Sequence, residues 1–405
     1  MPIRLLAVAL LASVISAPVM AVQAVGQVSG TVYLERDGQG GRGPMEPGLP
    51  GVVVSDGTDI VHTDAQGRYR IAARPGQVVF VVKPDGYRFG ASADGLPAFW
   101  HRVPATGTDA ADVDFGLSPE AWPAATGHMR KATGVLLFTD SQVKSTVDID
   151  HYRRDIVEPI VGRHAAAFGT TLGDLVDDEM DLYPALNAVT TLLGVPWFHV
   201  PGNHDVDPGA SADEGSLARW SAVYGPDTYA VEEGGAAFVF LDDVILQPGQ
   251  APAYVGGLRP DQFRFLENYL AQLPRERLLV LGMHIPVFDT GGRPTFRAAD
   301  RARLFALLRE RPRVLLLSGH SHVQQHYWHG EKDGWQGPVP LHEYNLGAAC
   351  GAFWSGAPDA LGIPDATMAD GTPNGYALLS LPGDGSYALA QGDKKGVARR
   401  LGRRG

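Results

Sequence analysis

At 405 residues the chain is too long for one small core, so two or three folded units are expected. Its 44% hydrophobic and 20% charged residues are ordinary for a soluble globular protein, and its 50 glycines and 30 prolines call for many turns and long loops. The formal net charge of -11 argues against nucleic-acid backbones as the main partner, and the single cysteine, Cys350, excludes a disulfide within the chain.

The first residues, MPIRLLAVALLASVISAPVMA, place Arg4 before an apolar run over 5–15 and then small residues leading to Ala21 and Ala24. That is the pattern of a cleaved secretory signal, assigned to residues 1–24. The run is shorter than the roughly 20 residues a spanning helix needs. Nothing later is apolar for long enough, so no transmembrane segment is expected. The mature protein is expected to be secreted, into the periplasm if the source is Gram-negative.

Residues 26–118 read as short strands, among them VSGTVYLE, GVVVSD, GRYRIAA and QVVFVVKP, parted by turn clusters such as DGQGGRGP and DAQG. Strands at this spacing predict a small all-β sandwich. The stretch GVVVSDGTDIVHTDAQGRYRI resembles carboxypeptidase-regulatory-like, Ig-like sandwich domains. That resemblance implies an accessory role, as a support or as a contact with the cell-envelope surface. His62 and His101 are expected to be ordinary strand or loop residues.

From about residue 131 strand-like runs alternate with helix-like ones, which predicts an α/β domain over 131–330. The strand-like runs end in polar groups. GVLLFTDSQ stops on Asp140 and Gln142, and the next run on GDLVDD with Asp174 and Asp177. The third stops on GNHD with Asn203, His204 and Asp205, a later one on His284, and the last on GHSH with His320 and His322. In open α/β sheets ligands bind at that end of the strands. Each motif alone is weak, but the joint order D-x-Q, G-D-x-x-D, G-N-H-D, H, G-H-x-H is specific.

On that order the chain resembles the calcineurin-like metallophosphoesterases, and within them a bacterial exported branch with an N-terminal β-sandwich. The resemblance implies a metallophosphoesterase β-sandwich flanked by helices, holding two divalent ions. Carried over by position, Asp140, Gln142, Asp174 and His322 would hold one metal. Asp174 would bridge to a second, completed by Asn203, His284 and His320. His204 would stand near the leaving group as a proton donor, with Asp205 as its orienting partner. Asp177 and Asp178 are either supports for metal ligands or solvated loop carboxylates.

Most of the family has D-x-H where this chain has Asp140-Ser141-Gln142. An amide oxygen is a harder, weaker ligand than imidazole, which favours manganese, with magnesium, iron or zinc as alternatives. The expected reaction is hydrolysis of a phosphodiester or phosphomonoester, on a phosphorylated small molecule or lipid, by a hydroxide bridging the metals. The D-x-Q variant also occurs in a manganese-dependent diphosphatase branch. It therefore raises a pyrophosphatase acting on nucleotide-alcohol or lipid-linked diphosphates. A non-catalytic envelope-binding protein is the third reading.

Residues 331–405 are expected to complete or cover the catalytic domain, with 354–376 resembling a segment that follows the core in that branch. The terminal KKGVARRLGRRG reads as a solvated, mobile end. His326, His342 and Trp354 are candidates to line a substrate pocket, while for the tryptophans an aromatic mini-core is the competing expectation. Cys350 is expected to be a buried small residue.

Overall fold

The structure is a computed structural model, and it describes residues 26–38, 40–105, 109–119, 132–393 and 399–404. The expected signal segment 1–24 lies outside the described residues. Among those described, no helix is long and apolar enough to cross a membrane.

The N-terminal region folds as two four-stranded sheets. Arg68–Ala73 alternates exposed and buried positions along its length, the period of two that a half-buried strand requires. It pairs antiparallel with Gly26–Leu34. Val32, Ile71 and Leu117 of this sheet join Val54 and Val79 of the other in one buried cluster.

Two six-stranded sheets follow. In the first, Thr133–Phe138 lies at the centre, parallel to Ala166–Leu172, which is in turn parallel to Trp197–Val200. In the second, Ala236–Leu241, Leu278–Gly282, Val314–Ser318 and Leu341–Asn345 run parallel as neighbours. The strands are buried along most of their length, which is why they read as unbroken apolar runs rather than alternating ones. Parallel strands deliver all their following loops to one edge, and that edge carries the polar motifs.

Helices are few and mostly short. Thr146–Tyr152 opens at Ser145, whose Oγ accepts from Asp148 N at 3.2 Å. Tyr183–Thr190 passes into a tight turn that closes at Gly194, with φ of 72°. Pro260–Gln272 is the longest among the described residues, burying Phe263, Phe265, Leu266 and Tyr269 on one face.

The C-terminal residues add to the first sheet. Gly375–Leu381 pairs antiparallel with Thr133–Phe138, and Tyr387–Asp393 pairs with it in turn. The basic tail, expected as a mobile end, contributes Arg399–Arg404 as the edge strand. Backbone pairing needs no apolar side chain, so a run of arginines gave no sign of it.

The N-terminal sandwich does not sit apart from the six-stranded sheets. One continuous buried cluster contains residues of both, and Phe99 meets Phe198 edge-on at 5.6 Å. Lys83 Nζ and Glu233 Oε2 form an ion pair at 2.7 Å with both side chains buried. Asp85 accepts from the backbone N–H of Gly235 at 2.8 Å, and Arg102 donates to Ser221 Oγ at 2.6 Å.

Candidate metal centre

At the shared edge of the sheets the chain leaves three of the strands, Thr133–Phe138, Ala166–Leu172 and Val314–Ser318, through strained turns. Asp140, Gln142, Asp174, His320 and His322 have φ between 35° and 70°, in the left-handed region that side chains avoid. Such strain persists only where surrounding contacts enforce it, and it gathers at functional sites. The glycine of GHSH is required by proximity: a Cβ on Gly319 would stand 1.9 Å from Thr139 Oγ1.

These turns bring together two buried carboxylates and three imidazoles. One ligand atom from each of Asp174, His284 and His320 lies within 4.8 Å of the others. His322 Nε2 is 3.4 Å from Asp140 Oδ1, and His284 Nε2 is 3.3 Å from Asp174 Oδ2 and 3.2 Å from Asn203 Oδ1. Gln142 joins through the backbone, donating its N–H to Asp174 O at 3.0 Å.

The tautomers follow from the partners. His284 Nδ1 faces the carbonyl of Leu172 at 2.8 Å, and a carbonyl can only accept, so Nδ1 carries the proton. His322 Nδ1 faces Gly351 O at 2.7 Å in the same way. In neutral rings Nε2 then points a lone pair at carboxylate or amide oxygen. Lone pair against lone pair is repulsive, and only a proton or a cation resolves it.

The titration directions tell the same story. Burial opposes a charged His284, but Asp174 and Asp140 outweigh it and raise the ring to about 10. Burial likewise opposes His322, which Asp140 carries up to about 11. Burial works to push Asp140 up, yet His322 and His284 hold it well below the carboxylate range. His320, disfavoured by burial and by His284, falls to about 4. The protein therefore holds a strong demand for positive charge at this point, and the donor set of carboxylate, amide and imidazole fits divalent metal.

His204 sits beside this cluster. Its backbone N–H donates to Asp174 Oδ1 at 2.9 Å, and its Nδ1 lies 2.9 Å from Asp178 Oδ1 and 3.5 Å from Asp177 Oδ1. Burial opposes its charge, but Asp174, Asp178 and Asp177 together raise it. Asp205, expected to orient His204, faces elsewhere. Its Oδ2 accepts from Gly202 N at 2.9 Å and Leu175 N at 3.2 Å, and its Oδ1 accepts from Tyr183 at 2.9 Å. It pins the GNHD turn to the preceding loop, and the orienting carboxylates are Asp178 and Asp177. Burial and the Asp174 charge push Asp205 up to about 7.

Beside Asn203 and Asp178 opens a cavity of about 250 Å³, bordered also by Val206, Val244, Leu246 and Tyr254. His326 and His342 form a separate pair, on facing strands, with His326 Nδ1 2.9 Å from His342 Nε2. Tyr387 continues the chain at 2.6 Å from His342 Nδ1, and Trp328 stacks on His342 at 5.0 Å. Trp354 is buried, so it is no wall of an open pocket. Its Nε1 donates to Ser141 O at 2.9 Å, directly under the D-x-Q turn.

Several residues escaped the sequence reading. Asp243 Oδ1 accepts from the N–H groups of His284 and Ile285, both at 3.0 Å, and so fixes the loop that carries His284. The doubled aspartate closing AAFVFLDD was its only signal. Thr139 Oγ1 donates to Asp140 Oδ2 at 2.6 Å. Cys350 is buried beside Gln142 Oε1 at 3.5 Å.

Residues 135–324 match the family described as calcineurin-like phosphoesterase, 38–120 its N-terminal extension and 343–390 its C-terminal one. The chain is 32% identical over 167 residues to a probable cyclic nucleotide phosphodiesterase of Rhodopseudomonas palustris, covering 38% of this chain. It is 31% identical over 90 residues to cell division control protein 1 of Saccharomyces cerevisiae, covering 22% of this chain. The matches span 57% and 17% of those two relatives. Among solved structures, a purple acid phosphatase from yellow lupin seeds aligns over 94% of this chain and 74% of its own. Its TM-score is 0.49 and its identity 13%.

Proposed function

Because the chain belongs to the calcineurin-like phosphoesterases, we propose that it is a metal-dependent hydrolase that cleaves a phosphodiester or phosphomonoester at a dinuclear centre. Asp140, Gln142, Asp174 and His322 would hold one ion, and Asp174, Asn203, His284 and His320 the other. The observation that carries this reading is the convergence of His284 Nε2, Asn203 Oδ1 and Asp174 Oδ2, lone pairs with only a proton or cation to share.

Two divalent cations supply an acidified water and neutralise phosphoryl oxygens. The chain's own residues do the rest. Leu172 O and Gly351 O fix the tautomers that leave Nε2 free on His284 and His322. Asp178 and Asp177 accept from His204 Nδ1 and, with Asp174, favour the doubly protonated ring, whose Nε2–H would donate to the departing oxygen. The cavity beside Asn203, walled by Val206, Val244, Leu246 and Tyr254, would take an organic group on the ester.

A phosphodiester of a small molecule or lipid suits that half-apolar wall, and the relative from Rhodopseudomonas palustris, by its name, points the same way. The amide ligand Gln142 favours manganese. The leader-like residues 1–24 support export to a periplasm, where the N-terminal sandwich would meet the envelope surface. The D-x-Q motif favours a second reading, a diphosphatase that splits a P-O-P linkage.

The test is to strip the mature protein of metal and restore manganese, magnesium or zinc. Turnover of bis-p-nitrophenyl phosphate, p-nitrophenyl phosphate and ADP-ribose is then measured, with Asp174→Asn as control. Ester turnover that needs metal and vanishes in the variant supports the proposal, and preference for ADP-ribose moves it to the diphosphatase. No turnover with any metal refutes both and leaves an envelope-binding protein.

A further inference from the structure

One short turn, residues 349–354, touches only one side of the centre. Ala349 N donates to Thr139 O and Cys350 N to Asp140 O, each at 2.9 Å. The Cys350 thiol donates to Gln142 Oε1 at 3.5 Å. Gly351 O accepts a hydrogen bond from His322 Nδ1 at 2.7 Å, and Phe353 stacks on the His322 ring at 4.4 Å. Trp354 Nε1 reaches Ser141 O at 2.9 Å. The backbone or side chain of Asp140, Ser141, Gln142 and His322 is thus held by four residues of this turn, Cys350, Gly351, Phe353 and Trp354.

The turn is built to be rigid. Gly351, Phe353 and Trp354 all have positive φ, at 58°, 56° and 50°. A Cβ on Gly351 would meet Ala366 O at 1.8 Å, so no other residue fits. Asn374 Nδ2 bridges from Ala349 O at 3.4 Å to Asp155 Oδ2 at 2.8 Å, tying the turn to the helical segment beneath. Asn203, His284 and His320 draw support from other places. Leu172 O and Asp243 hold His284, and Tyr254 meets the His320 ring edge-on at 5.9 Å.

We infer that the 349–354 turn positions one metal subsite alone, that of Asp140, Gln142 and His322, with Cys350 selecting the face that Gln142 presents to the ion. This rests on the dinuclear reading above. The chemistry is that of an amide with two different ends. Only the oxygen of Gln142 can bind a cation, and its NH₂ cannot. A thiol donor against Oε1 occupies one lone pair of the oxygen and leaves the second for metal. Without the donor, oxygen and NH₂ are free to exchange places. Trp354 does the corresponding work on the backbone, since its N–H fixes the Ser141 carbonyl and so the angle between Asp140 and Gln142. Both are positioning residues.

The experiment measures manganese bound per chain to the stripped full-length mature protein, by calorimetric titration and by metal analysis after dialysis, with thermal unfolding as the check on folding. Wild type should bind two equivalents. Cys350→Ala and Trp354→Phe should keep one equivalent unchanged and bind the other about 10-fold more weakly, the range seen when outer partners of a ligand are removed. Cys350→Ser, which keeps a donor, should restore the weakened equivalent. Cys350→Ala should add little in a Gln142→Ala background. Two equivalents of unchanged affinity in both variants, or equal weakening by Cys350→Ala and Cys350→Ser, overturns the inference while leaving the dinuclear centre standing. Fewer than two equivalents in wild type overturns the dinuclear reading, and this inference falls with it.

Discussion

Replacing His204 with alanine should separate substrates by their leaving groups. The ring is held by Asp178 at 2.9 Å and Asp177 at 3.5 Å, and its backbone N–H anchors to Asp174. Loss of a positioned general acid costs about 10²- to 10⁴-fold where the leaving oxygen needs a proton. At 1.36 kcal/mol per decade that is roughly 3–5 kcal/mol of barrier for an alkyl ester. A nitrophenolate leaves unaided, so its ester should slow by less than about 10-fold. Asp178 is two-thirds exposed, and an exposed charged contact is worth only about 0.2–1 kcal/mol. Asp178→Asn should therefore cost severalfold at most, on the same substrates. The assay is kcat/KM along a series of phosphate esters of rising leaving-group pKa, with metal content measured in each variant. A uniform loss across the series, or loss of bound metal in His204→Ala, refutes the proton-donor role.

Other consequences reach beyond the chemistry. His199 is buried against Tyr224, ring centroids 4.4 Å apart, and burial depresses it from 6.5 to about 3. Since only the unfolded chain takes up this proton in that window, stability falls as pH drops from 6.5 towards 3, by about 2 kcal/mol at pH 5. His199→Phe should remove that slope, read as urea midpoints at pH 7.5 and 5, and an unchanged slope would show that the ring is not held neutral. Lys83→Met leaves Glu233 buried without its partner and should destabilise the whole molecule by about 3–5 kcal/mol, most of it recovered in Lys83→Met/Glu233→Leu. Chemical denaturation of both variants decides this, and a single variant as stable as wild type contradicts it. Gln142→His restores the commoner D-x-H pattern and should raise zinc affinity relative to manganese. Competition between the two ions in metal analysis measures it, and an unaltered ratio would mean that Gln142 is no ligand.

The site was legible because each polar group directly follows an apolar run, so strand periodicity and motif order fall on the same residues. Asp140, Asp174 and His284 announce themselves in this way. The supports did not. Cys350 and Gln142 are 208 residues apart, and Trp354 and Ser141 are 213 apart. Nothing local to either partner marks such a contact. Asp205 misled because adjacency in sequence suggested a partner for His204, whereas a tight turn sends neighbouring side chains in different directions. The strand Leu341–Asn345 and the edge strand Arg399–Arg404 were hidden by composition, one in a glycine- and proline-rich stretch and one among arginines. Lys83 reads in the sequence as one more solvated cation, and only the packing reveals it as a buried partner of Glu233.

The shared core of the N-terminal sandwich and the catalytic sheets has a mechanical meaning. A domain on a flexible tether searches its surroundings independently of the enzyme it accompanies, gaining reach and losing aim. Here Phe99 lies against Phe198, and Lys83 against Glu233, so the two parts can only turn together. A surface that gripped the sandwich would therefore also set the bearing of the metal centre.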